Sequence, residues 1–158
     1  MPGLLYLADT NILLRLIKSN DPEFPLVRKA VHTLKARGER LCYVPQNIVE
    51  FWNVCTRPPD RNGYGLLPVE ADERAQRVER AFTLLPENEL IHPEWRRLVR
   101  GHAVSGAQVH DARLVAAMHV HGVTHLLTLN VRDFARYPGI TVVHPQTLHT
   151  DLTSNVEY

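Results

Sequence analysis

Apolar positions along the chain follow two alternating rhythms. Residues 4–8, 41–44, 125–129 and 140–143 are short, nearly unbroken apolar runs, the pattern of strands buried on both faces. Between them, apolar residues recur at helical spacing. A short helix is predicted at 12–17. After Pro25, the set Leu26, Val27, Ala30, Val31 and Leu34 marks a helix that Gly38 stops. Pro45 opens another, with Ile48, Val49, Phe51, Trp52 and Cys55 apolar and Pro58-Pro59 at its end. Residues 69–84 give a charged helix with Val78, Ala81, Phe82 and Leu85 on its buried side. Two more are expected at 94–103 and 109–121, the second capped by Gly122, and 90–91 reads as a weak strand. The segment RPPDRNGYGLLP (57–68) is rich in turn residues and reads as a long loop. Strands alternating with helices imply an α/β fold, a parallel sheet covered on both faces. No repeat or internal linker divides the chain. One domain is expected over 1–150, followed by a short C-terminal tail, 151–158, in which TSNVEY reads as loose.

Composition narrows the class. A chain of 158 residues suits one compact domain. The formal net charge of +1 gives no overall basic field, although a local basic surface remains open. Cys42 and Cys55 have no metal-ligand spacing and form no disulfide framework. The apolar N-terminus lacks a basic region and is broken by Asp9 and Asn11, so it makes a poor signal peptide. No apolar run approaches the roughly 18 residues of a membrane helix. These features lead us to expect a cytoplasmic protein with no membrane partner.

The stretch LADTNILLRL (7–16) places a carboxylate, a hydroxyl and an amide in a row within apolar sequence. Ligands of open α/β sheets bind outside the carboxyl ends of the strands, and Asp9 follows the first strand directly. Asn130 and Asp133 follow the strand at 125–129. Asp111 lies in the first turn of the Ala-rich helix, and Glu50 in the helix after the second strand, where Asn47, Glu50 and Arg57 are spaced to share a face. Each acid has an ordinary explanation as a helix cap or a solvated side chain. Together they bring carboxylates from well-separated regions toward one sheet end, where burial is costly unless a cation neutralises them. Hard divalent ions prefer such oxygen ligands.

The ordered set LADTNILL (7–14), VPQNIVEFWNV (44–54), HDARLVAA (110–117) and LLTLNVRDF (126–134) resembles the PIN-domain ribonucleases, and within them the VapC-type toxins of toxin–antitoxin pairs. No single motif is specific; the ordered quartet is. The resemblance implies a single PIN-like domain with a five-stranded parallel sheet flanked by helices. It also implies a Mg²⁺-dependent endoribonuclease, with Mn²⁺ as a substitute. Asp9, Glu50, Asp111 and Asp133 match the family's acids. Asp9 and Asp111 are expected to hold the metal, and Glu50 and Asp133 to complete the site or orient water. Thr10, Asn11, Thr128 and Asn130 are expected to stand behind the carboxylates. Asn130 occupies a position where some relatives carry Asp. Arg57 and Arg132 are the favoured RNA phosphate contacts, ahead of Arg61, Arg136, Arg96, Arg97 and Arg100. The nine histidines receive no catalytic role, although His110 adjoins Asp111. The resemblance further implies an RNA substrate, a small DNA-binding antitoxin and a homodimer.

Two other readings compete. A phosphotransfer enzyme with Asp9 as nucleophile would need a second acid close in sequence and a late lysine, and the only lysines are Lys18, Lys29 and Lys35. A non-catalytic PIN-like module binding RNA or protein would keep the fold without the chemistry.

Overall fold

The computed structural model describes residues 3–148, so the expected tail at 151–158 lies outside the described residues. Five strands, β1 (Leu5–Ala8), β2 (Arg40–Tyr43), β3 (Thr83–Leu84), β4 (His125–Leu127) and β5 (Thr141–Val143), form one sheet in the order β3-β2-β1-β4-β5. Every neighbouring pair is parallel. The helices are α1 (Thr10–Leu16), α2 (Phe24–Ala36), α3 (Pro45–Thr56), α4 (Pro68–Ala81), α5 (Ile91–Gly101) and α6 (Gln108–His121).

Successive side chains of a strand point to opposite faces, and β1 feeds two cores in this way. Tyr6 and Ala8 join one cluster with Ile12, Leu13, Val27, Leu34, Phe51 and Ala75, contributed by α1 to α4. Leu7 joins the other with Ile91, Leu98, Leu114, Val115 and Met118, contributed by α5 and α6. The chain moves outward from β1 to β2 and β3, then returns to the opposite side of β1 for β4 and β5. This reversal opens a crevice at the carboxyl ends of β1 and β4, where open α/β sheets bind ligands.

The expected strand at 90–91 is not there. Leu90 is exposed and precedes α5, with its N–H held by the Asn88 side chain, and Ile91 is the buried first residue of that helix. The edge strand lies earlier, at Thr83–Leu84. It occupies the end of the segment expected to continue the charged helix. α4 stops at Ala81, Phe82 is already extended, and the Leu85 N–H donates to the Tyr43 carbonyl. Pro86 disfavours a helical conformation for Leu85, and the chain has left the helix before reaching it, pairing Thr83–Leu84 with β2 instead.

The segment after α3 is pinned rather than loose. A single 3-10 turn spans Pro59–Arg61, and the N–H groups of Tyr64, Gly65 and Leu66 donate to carbonyls of Val54, Arg57 and Cys55. No helix among the described residues is long and apolar enough to cross a membrane.

Candidate acidic site at the strand ends

Asp9 leaves β1 with its N–H bound to the Leu127 carbonyl of β4, which carries the sheet pairing to the foot of the site. It is also the N-cap of α1, so the capping explanation is correct as far as it goes. Its Oδ1 accepts the Thr10 N–H at 2.8 Å. Its Oδ2 accepts the Thr128 hydroxyl at 2.8 Å and the Asn11 amide at 3.3 Å. A cap needs only the first of these bonds. Thr128 in turn accepts the Asn130 N–H at 3.0 Å, and Asn11 Oδ1 accepts the Leu129 N–H at 3.3 Å. The residues expected behind Asp9 thus link the ends of β1 and β4, with Asn130 contributing its backbone while its side chain stays exposed.

Glu50 comes from α3. Its Oε1 accepts the Gln46 amide at 3.1 Å, and the same amide donates to the His110 carbonyl at 2.8 Å. Both partners are acceptors, which fixes the orientation of the amide. Gln46 therefore ties Glu50 to the first turn of α6, where Asp111 sits. Asn47 faces inward with Phe51 and Cys55, not outward with Glu50 as its spacing suggested. It is fully buried, its Oδ1 accepts the Val44 N–H at 2.8 Å, and its amide donates to the Thr10 hydroxyl at 3.1 Å.

The four acids act on one another. Burial raises the Asp9 carboxyl above its ordinary range, the Thr128 and Thr10 bonds oppose this, and Asp133 adds to it. Burial also raises Glu50; the Gln46 bond counteracts it, the Asp9 charge reinforces it, and His110 and Thr10 lower it. Asp111 is pushed up to about 7, by burial first and then by Asp9, Asp133 and Glu50. An acid in the first turn of a helix ordinarily gains from the dipole; here burial and the neighbouring carboxylates together outweigh it. No ion pair to Lys, Arg or His neutralises any of the four among the described residues.

The donor set is all oxygen, without an ion-pair partner among the described residues, and mutually repelling, which fits a hard divalent cation. As the side chains stand, no three Asp, Glu, His or Cys groups among the described residues close around a single point. The acids are gathered, and drawing them inward against their repulsion requires added positive charge.

The favoured arginines are placed differently. Arg57 ends α3 and donates to the Asn62 carbonyl at 3.1 Å, which holds the following turn. No charge from it bears on Glu50. Arg132 is exposed beside Asp133 in the single 3-10 turn Val131–Phe134, and Arg136 bonds the Gln108 side chain at the start of α6. Gln46 and the inward role of Asn47 escaped sequence reasoning. Gln46 carried one signal, its position four residues before Glu50 on the same helix. A separate apolar cavity of about 600 Å³ lies beside α3 and β3, lined by Tyr43, Ile48, Val49, Trp52 and Leu84 among others, and none of the acids lines it. Trp52, expected in the core, is half-buried there, whereas Phe51 is fully buried.

The PIN domain family model matches residues 6–140. No curated protein matches the chain significantly. Among solved structures, a toxin–antitoxin complex from Klebsiella pneumoniae is similar at 23% identity and TM-score 0.62, over 89% of this chain and 97% of that one. VapBC2 from Rickettsia felis, bound to a promoter DNA fragment, is similar at 12% identity and TM-score 0.67, over 89% and 98%. VapC20 from Mycobacterium tuberculosis, a sarcin–ricin-loop cleaving toxin, is similar at 18% identity and TM-score 0.54, over 77% and 86%. At these identities the likeness is one of fold.

Proposed function

The chain belongs to the PIN-domain family, and from that premise we propose that it is a divalent-metal-dependent endoribonuclease, the cytoplasmic toxin of a toxin–antitoxin pair. One observation carries the reading: acids from four separate segments approach one another at the β1–β4 crevice, and Asp111 is pushed up to about 7 by burial first and then by Asp9, Asp133 and Glu50. A structural role gives no reason to concentrate uncompensated charge in this way, whereas a cation site does.

Asp9 and Asp111 would hold Mg²⁺, or Mn²⁺ in its place, with Asp133 at the rim. When bound, such an ion supplies positive charge to phosphoryl oxygens and lowers the pKa of water. The chain does the rest. Thr128 and Asn11 lock the Asp9 rotamer, and such supporting bonds govern ligand geometry. Gln46 and Thr10 fix the Glu50 carboxylate. A carboxylate raised toward neutrality is a better base, so Glu50 would accept the proton of the attacking water as its oxygen attaches to phosphorus, while the departing ribose oxygen takes a proton from solvent water. Arg132, exposed beside Asp133, would meet a phosphate.

The partner reading draws on neighbours that are complexes of toxin with antitoxin: a small DNA-binding antitoxin is proposed as the cognate partner and a homodimer as the working form. The activity is tested by incubating the full chain with labelled RNA in Mg²⁺, in Mn²⁺ and in EDTA. Cleavage is expected only with metal, and Asp9→Asn or Asp111→Asn should lower its rate by about a hundredfold or more, since even outer-shell changes at metal sites cost 10–100-fold. RNA that is retained but left intact by the wild-type chain in both metals would make the protein a binding module instead.

A further inference from the structure

Positive charge is not spread evenly over this molecule. α2 contains no acidic residue, and Arg28, Lys29, His32 and Lys35 are exposed on its outer face. Arg28, His32 and Lys35 fall on one line at i, i+4 and i+7, about 10 Å long along the helix axis. The inner face, Val27, Ala30, Val31 and Leu34, is core. None of the four outward residues forms an ion pair with a described residue, although the Lys35 ammonium rests over the Phe82 ring, 5.5 Å from its centroid. The other exposed helices are built differently. α4 intersperses Glu70, Asp72, Glu73 and Glu79 with Arg74, Arg77 and Arg80; α5 pairs Arg97 with Glu94 and leaves Arg96 and Arg100 exposed, but it carries an acid where α2 carries none.

The α2 stripe also has a shape. The Arg28 guanidinium lies over the Phe24 ring, 6.0 Å from its centroid. Phe24, Pro25, Arg28, Lys29 and His32 line a cavity of about 450 Å³. A second cavity joins Pro25, Leu26 and Lys29 to Gln146, just beyond β5. α2 therefore begins at the carboxyl edge of the sheet, the edge that carries the acids. It ends at the opposite edge, where the Glu39 and Arg40 N–H groups bond the Leu34 and Leu4 carbonyls.

We infer that the outer face of α2 is a second RNA contact, which takes backbone phosphates of the substrate well away from the scissile bond. This rests on the ribonuclease reading. The acidic crevice repels a polyanion, so affinity has to come from elsewhere, and α2 offers an uncompensated cationic track that starts at the same edge. Phe24 adds a ring on which a base can stack. Long RNA would use both places, whereas a short oligonucleotide would reach only the acids.

The test compares the full chain with a triple variant, Arg28→Ala, Lys29→Ala and Lys35→Ala. Binding of poly(U) is measured by fluorescence anisotropy at several salt concentrations, in an Asp111→Asn background that leaves the RNA intact. Each phosphate contact on a single strand contributes about 0.7 to the salt slope, so losing three lowers it by about 2. Between 50 and 200 mM salt the parent should therefore lose about 20-fold more affinity than the triple variant. Without the Asp111 change, the triple variant should cleave a uridine tetranucleotide at the parental rate while its KM for poly(U) rises. The inference is overturned if the slope is unchanged. It is equally overturned if the charge-matched control Arg40→Ala, Arg77→Ala and Arg80→Ala loses as much, or if the triple variant keeps poly(U) and loses only polyglutamate, which would make the face an acidic-protein contact. If the wild-type chain cleaves no RNA while the α2 effect on binding persists, the nuclease reading fails and the α2 contact stands.

Discussion

Asp111 concentrates the electrostatics of the site in one side chain. Its carboxyl is raised from 3.8 to about 7 in the folded chain. Between those values the native state binds a proton that the unfolded state releases, so unfolding is favoured as pH rises through the window. The metal-free protein should accordingly be most stable toward pH 4, lose stability up to about pH 7, and level off above it. Asp111→Asn should flatten that slope and give a higher Tm than the wild type at pH 8 in EDTA. Thermal scans across pH check this, and parallel profiles for the two proteins would mean that the carboxyl is not raised. The residue itself was legible from the start of the Ala-rich helix. Its raised carboxyl was not, because burial and the approach of Asp9, Asp133 and Glu50 are properties of the assembled sheet.

At the level of elements, α3 does two jobs with adjacent residues. Gln46 and Glu50 face the crevice, while Asn47 turns inward and closes the start of the helix against α1. Asn47→Ala would leave the Val44 N–H and the Thr10 hydroxyl without these partners in a buried place, at a cost of about 1–3 kcal/mol. A urea titration should show the midpoint falling with an unchanged m-value. Strands 4–8, 41–44, 125–129 and 140–143 were readable to within about two residues, because buried parallel strands announce themselves as apolar runs. β3 was not, since its two residues are both exposed and carry no such run. Leu90-Ile91 misled for the opposite reason: an apolar pair at a helix start looks like a strand when the Asn88 turn before it goes unnoticed. Asn47 was misjudged because residues three apart on a helix are offset by about 60°, enough for Glu50 to face the crevice while Asn47 follows Phe51, four residues on, inward.

For the molecule as a whole, fold and site depend on the same pairing. β1 is held between β2 and β4, and the β4 side supplies Thr128 to Asp9. A cation that binds only the folded chain stabilises it by mass action, by about 2.7 kcal/mol at a hundredfold excess over Kd. Mg²⁺ should therefore raise Tm at pH 8, EDTA should reverse the rise, and Asp9→Asn should abolish it. Differential scanning calorimetry gives all three results, and a Tm indifferent to Mg²⁺ would count against the metal site.

The pairing of β1 with β4 joins Leu7 to Leu126 across most of the chain. During synthesis this means delay. Ribosomes add about 5–20 residues per second, so the partner of β1 is made roughly 6–25 s after β1 itself. Throughout that interval the growing polypeptide carries Asp9 but lacks the strand that orients it, and Asp133 is added only after that strand. The acidic crevice is therefore complete only once nearly all of the chain has been translated.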